Sequence, residues 1–114
     1  MIISSQNLNA RLKNSKSLSE LRNHAFMHSS IMEAVHDSVI CVSCGRFGSS
    51  DLRMRVECRE LYLIATVLWL KRPEESFGRD SRGGANILLA GAKLKVDSRH
   101  NVMMRLLDEA SRMS

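Results

Sequence analysis

Two carboxylates stand four residues apart in Glu33-x3-Asp37. On a helix that spacing puts them one turn apart on one face. Paired acids of this kind bind Mg²⁺ when other elements add further oxygen ligands; alone they make a solvated polar face. A second constellation is built on sulfur. Cys41-x2-Cys44, then Cys58, with His36 nearby, supplies zinc-type ligands but lacks the second pair of a zinc ribbon. The same cysteines serve equally as small buried hydrophobes. His24 and His28 share a helical face, and His28 falls on an apolar stripe, which favours a hydrogen-bonded core histidine over a metal ligand. Gly78-Arg79-Asp80-Ser81-Arg82-Gly83-Gly84 reads either as a phosphate-contacting loop or as an ordinary connection.

These groups need elements to hold them. Ser17-Leu18-Ser19-Glu20 has the form of a capping box and predicts a helix start. Leu18, Leu21, Ala25, His28, Met32, Val35, Val39 and Val42 then recur at helical spacing, in one long helix or two broken near Ser29-Ser30. A short helix over Leu8 and Leu12 precedes them. Residues 45–50 and 73–84 read as loops from their glycines, with residues 1–6 as a flexible lead. In the next block Leu52, Met54, Val56 and Cys58 alternate with polar residues, as in a strand. Yet Leu52, Val56, Leu63, Val67 and Leu70 also fit a helix, and the run from Leu61 is too long for an edge strand. Helix is the expectation, with a hairpin over 39–58 as its α+β rival. Ala85–Ala92 reads as a small-residue helix suited to close packing. Asp97-Ser98 reads as the cap of a last helix with Val102, Met103, Leu106, Leu107 and Ala110 on its buried face.

The chain has 114 residues, one domain's worth, with 44% hydrophobic residues, which argues against wholesale disorder. No period of 20–50 residues repeats, which argues against a solenoid. Three cysteines make a poor disulfide framework and point to a reducing, intracellular setting. The longest apolar run, Leu61–Leu70, is half of what a bilayer span of about 20 residues requires, so no membrane partner is expected. No secretory h-region opens the chain. Residues 1–16 carry Arg11, Lys13 and Lys16 and no acid, a composition compatible with a transit-peptide remnant. Seventeen basic residues against 12 acidic give a net charge of +5, and 12 of the basic residues are Arg. That balance points to phosphate-bearing or acidic partners.

Taken in order, the pieces resemble the endonuclease domain of the ribonuclease III family. Leu8-Asn9-Ala10-Arg11-Leu12-Lys13-Asn14 and Ala25-Phe26-Met27-His28-Ser29-Ser30 are similar to the family's opening patterns. The stretch Ser29–Ile40, with Glu33 and Asp37, fits the signature Asn-Glu-Arg-Leu-Glu-Phe-Leu-Gly-Asp-Ser-Val-Leu with the connecting loop deleted. Asp51-Leu52-Arg53-Met54-Arg55 and Arg59–Ala65 resemble the next helix, and Gly84–Asp97 resembles the last signature. The resemblance implies an all-α helical bundle in a single domain, 1–114.

In active members four acids hold Mg²⁺ for RNA phosphodiester cleavage. Glu33 and Asp37 fall on the first pair, but Gly84 and Ile87 stand at the second. Asp80, the nearest acid, is four residues out of register, Ser30 replaces an acid, and His36 replaces a glycine. The resemblance therefore implies a vestigial site, with weak Mg²⁺ binding if any residual activity remains and otherwise no cofactor. It implies a non-catalytic subunit of a ribonucleoprotein, such as a mitochondrial large ribosomal subunit or an RNA-processing complex. Its partners would be ribosomal or double-stranded RNA, other subunits, and a second ribonuclease III-like chain in a dimer. Arg46, Arg53, Arg55, Arg79 and Arg82 are the candidate RNA contacts. Two alternatives stand beside this: an Mg²⁺-dependent double-stranded RNA endonuclease completed by a partner, and a small basic helical adaptor or chaperone docking a protein through Met- and Leu-rich faces.

Overall fold

A computed structural model describes residues 3–113, which form six α-helices and no strand among the described residues. The hairpin over 39–58 does not form. Helix α3 (Ala34–Ser50) runs through its first half, one 3₁₀ turn covers Leu52–Met54, and α4 (Arg55–Lys71) follows. The alternation that suggested a strand has no buried face behind it, since Leu52 and Val56 are 68% and 62% exposed. The buried side of α4 is instead Cys58, Tyr62, Ala65, Thr66 and Trp69, at helical spacing.

Most of the helix starts are chemically marked. Ser4 caps α1 (Ser5–Lys13) by accepting from the Asn7 amide, which orders part of the lead expected to be flexible; Ile3 is buried as well, and residues 1 and 2 lie outside the described residues. Ser17 caps α2 (Leu18–Met27) by accepting from the Glu20 amide, while the Glu20 carboxylate reaches back to the Lys16 amide. The chain does break at Ser29–Ile31, a single 3₁₀ turn before α3. Asp80 caps α5 (Ser81–Lys93) through the Gly83 amide at 2.8 Å, so the expected loop ends there and residues 81–84 are helix. That helix stops at Lys95, whose φ of 58° is left-handed. The Val96 amide returns to the Gly91 carbonyl and the Lys95 amide to the Ala92 carbonyl, a Schellman closure without glycine. The last helix, α6 (Asn101–Met113), starts later than expected. Asp97 spends its carboxylate on the amide and guanidinium of Arg99, and His100 Nδ1 instead accepts from the Val102 amide. Of the expected buried face only Met103 and Leu106 are fully covered; Leu107 is 45% exposed.

Residues 45–50 are not a loop. Gly45 and Gly48 lie inside α3, where the chain needs slenderness rather than a turn. A Cβ on Gly45 would come within 3.2 Å of the Ala90 Cα, and one on Gly48 within 2.3 Å of Leu94 Cδ2. Glycine weakens a helix interior by roughly 0.5–1 kcal/mol; here it admits α5 to contact with α3. The apolar Ala85–Ala92 segment answers from the other side, with Ala90 and Gly91 buried.

The helices stack in successive pairs, α1 with α2, α3 with α4, and α5 with α6. The first members of the pairs lie side by side, α1 on α3 and α3 on α5. They run parallel: Ser5 meets Glu33 while Lys13 meets Arg46, and Gly78 meets Val35 while Ala90 meets Gly45. The result is a slab of 40 × 37 × 17 Å, about two helices thick. Its connectivity is that of stacked helical hairpins, with each pair touching its neighbours. No repeat period announces it because the helices differ in length, from 9 to 17 residues. At the centre α3 packs against α1, α4 and α5, while its side with Val35, Val39, Val42 and Arg46 stays partly open.

Candidate acidic junction and basic groove

The parallel packing brings the start of α3 beside the start of α5. Glu33 occupies the N-cap position of α3, and its Oε1 accepts from the Ser5 hydroxyl at 3.3 Å. Its amide donates to His36 Nδ1 at 2.8 Å, and His36 Nε2 lies 3.0 Å from the Ser5 carbonyl. Glu33 is half-buried; Asp37, one turn on, is wholly buried. Its carboxylate takes the Arg72 guanidinium in a fork, Nε on Oδ2 at 2.8 Å and a terminal nitrogen on Oδ1 at 3.2 Å. Burial pushes the Asp37 carboxyl up from the ordinary range, and the Arg72 hydrogen bonds and charge pull against that shift. Both Asp37 oxygens are therefore engaged inside the protein.

No acid reaches the junction from α5. Gly84 lies under the Trp69 ring, where a Cβ would meet the ring edge at 3.4 Å, and Ile87 is wholly buried with its carbonyl accepting from Tyr62 Oη at 2.7 Å. Asp80 is committed to its cap. A cation at Glu33 and Asp37 would have to displace Arg72 from a buried carboxylate, and α5 carries no carboxylate to join them.

The thiols are structural. Cys41, Cys44 and Cys58 are free and buried. Cys41 Sγ donates to the Tyr62 carbonyl at 3.7 Å, and burial pushes its thiol up to about 12. Among the described residues no three His, Cys, Asp or Glu side chains gather as a metal-holding group. His36 is spent on capping, and His24 pairs with Glu20 at 3.7 Å on α2.

The five arginines expected at RNA separate sharply. Arg79 is buried. It stacks on Trp69 at 4.2 Å, donates to the Trp69 carbonyl, and pairs with Glu109, which takes it out of any surface role. Arg53 is exposed and holds Asp51; Arg55 bonds the Gly48 carbonyl. Arg46 and Arg82 share a groove of about 550 Å³ that crosses α1, α3 and the start of α5. Lys13 joins them from α1, and Asp80 is the one carboxylate among the groove's lining residues. Arg46 is preset there by donating to the Ser15 and Lys13 carbonyls at the end of α1, which also suits the negative pole of that helix. Lys13 and the exposed Phe77 at this groove escape sequence reading, because only the stacking of three separated helices brings them together.

No protein-family model, no curated protein and no solved structure matches this chain. No helix among the described residues is long and apolar enough to cross a membrane.

Proposed function

We propose that this chain is a non-catalytic, RNA-associated helical subunit of a ribonucleoprotein, built on a degenerate ribonuclease III-like frame. The observation that carries the reading is the capture of Asp37 by Arg72 at a helix junction to which α5 adds Gly84 and Ile87 rather than acids. The residue order along the chain supports the frame, and the neighbouring starts of α3 and α5 agree with it. The net charge of +5 and the cations lining the groove support RNA as the partner, since phosphate contacts dominate nucleic-acid affinity. An organellar ribosome or an RNA-processing assembly is the setting that the resemblance implies.

A protein neighbour fits the same reading. Leu63, Ile64, Val67 and Leu68 make an apolar strip along α4, with Ile64 58% exposed. Such a strip offers a neighbouring subunit an apolar foothold.

The test is RNA binding and cleavage by the purified chain. Binding that weakens roughly tenfold or more between about 50 and 200 mM salt, with no cutting in Mg²⁺, is the expected outcome. Mg²⁺-dependent cutting that disappears in Glu33→Gln would overturn the non-catalytic part, and binding of a protein partner alone, insensitive to salt, would overturn the RNA part.

A further inference from the structure

We infer that the groove across α1, α3 and α5 is a seat for a single-stranded RNA segment, with phosphates on Lys13, Arg46 and Arg82 and a base on Phe77. The inference rests on the RNA association proposed above and specifies the form of RNA and where it lies. The groove holds about 550 Å³, within the size range of small-molecule pockets and too small for a duplex to enter. Its cations come one from each of the three parallel helices, with Arg46 beside Lys13 at the end of α1 and Arg82 in the first turn of α5. Against them stands Asp80, whose carboxylate is drawn toward the Gly83 amide.

One feature points to a nucleotide rather than to a simple anion. Phe77 lines the groove and is 69% exposed, an aromatic face left to solvent in a chain with only 4% aromatics. Its position is fixed by the backbone, because the Phe77 carbonyl accepts from the Val35 amide at 2.7 Å. A-form duplex RNA keeps its base faces stacked and presents only phosphates and 2′-hydroxyls, so it has nothing to lay on Phe77. A single strand offers both a charged backbone and a free base face, and aromatic stacking of this kind tolerates any base.

The experiment is fluorescence anisotropy with a labelled 12-nucleotide oligouridine and a 12-base-pair RNA duplex. The proteins are wild type, Phe77→Ala, Arg82→Glu, and Arg105→Glu on α6 as an outside control. The single strand is expected to bind more tightly than the duplex. Phe77→Ala should weaken it about tenfold without moving the melting temperature, because the side chain is exposed and its carbonyl bond survives. Arg82→Glu should weaken it and flatten the salt dependence, while Arg105→Glu changes little. RNA binding that prefers duplex, or that ignores Phe77→Ala and Arg82→Glu, would overturn the groove and leave RNA association standing. An absence of RNA binding at low salt would overturn both.

Discussion

Asp37 and Arg72 join the first turn of α3 to the end of α4 by a two-pronged ion pair across 35 residues of chain, with the acid wholly buried and the arginine side chain 24% exposed. The unequal exposure makes the two halves unequal in consequence. Arg72→Ala strands a buried carboxylate and should lower stability by roughly 3–5 kcal/mol. Asp37→Asn leaves a cation that still reaches water, so its loss should be smaller. Replacing both by Asn and Met should recover much of the deficit, because an ion pair in the interior barely outweighs its desolvation. Urea unfolding of the three variants at neutral pH measures this; equal losses for both single variants would contradict it.

The same pair predicts the response to metal. A ligand that binds only the folded form raises the melting temperature. With both Asp37 oxygens on Arg72, millimolar Mg²⁺ should leave the melting temperature where it is. A rise that vanishes in Glu33→Gln would place a cation at the junction after all.

The buried thiols set an alkaline limit. Burial raises Cys41 to about 12 and moves Cys44 and Cys58 upward as well, so the folded chain keeps protons that the unfolded chain releases from about pH 8.5. The native state then binds more protons than the unfolded one, and stability falls as pH rises through that window. Denaturation midpoints should drop between pH 8 and pH 10, and less so in Cys41→Ala at matched starting stability. A thiol reagent at pH 8 should label none of the three until the chain unfolds.

Glycines in this chain divide by purpose, and substitution separates them. Gly78 has φ +90°, and a Cβ there would sit 2.5 Å from the Val35 backbone, which cannot yield. Gly78→Ala should cost about 3 kcal/mol or more. Gly48→Ala meets the mobile end of Leu94 and the Cys58 Cβ at 3.1 Å, so about 1–3 kcal/mol is expected, measured by thermal melts. A milder loss at Gly78 than at Gly48 would contradict the assignment.

The helix start at Ser17 was legible because capping is local chemistry, while the break at Ser29–Ile31 stood as one of two alternatives that only the fold decides. Helix over strand for 52–70 was legible from the length of the apolar run. Gly45–Ser50 misled because glycine serves both turns and tight helix crossings, and only the partner, Ala90, tells them apart. Asp97-Ser98 misled for a related reason: the same carboxylate can cap a helix or hold the next arginine, and here it holds Arg99. The spacing of Glu33 and Asp37 was readable, but Arg72 and Arg79 were not, since their ends depend on which helix faces which. The cations of the groove belong to three segments whose juxtaposition no short pattern encodes.

Trp69, the sole tryptophan, is sealed beneath the segment whose other side walls the groove. Its indole donates to the Gly78 carbonyl at 3.1 Å, Arg79 lies on its ring, and Gly84 touches its edge. The molecule thus carries its own optical gauge: one indole, with no dye attached, whose emission colour and quenching report whether that strip of backbone is seated.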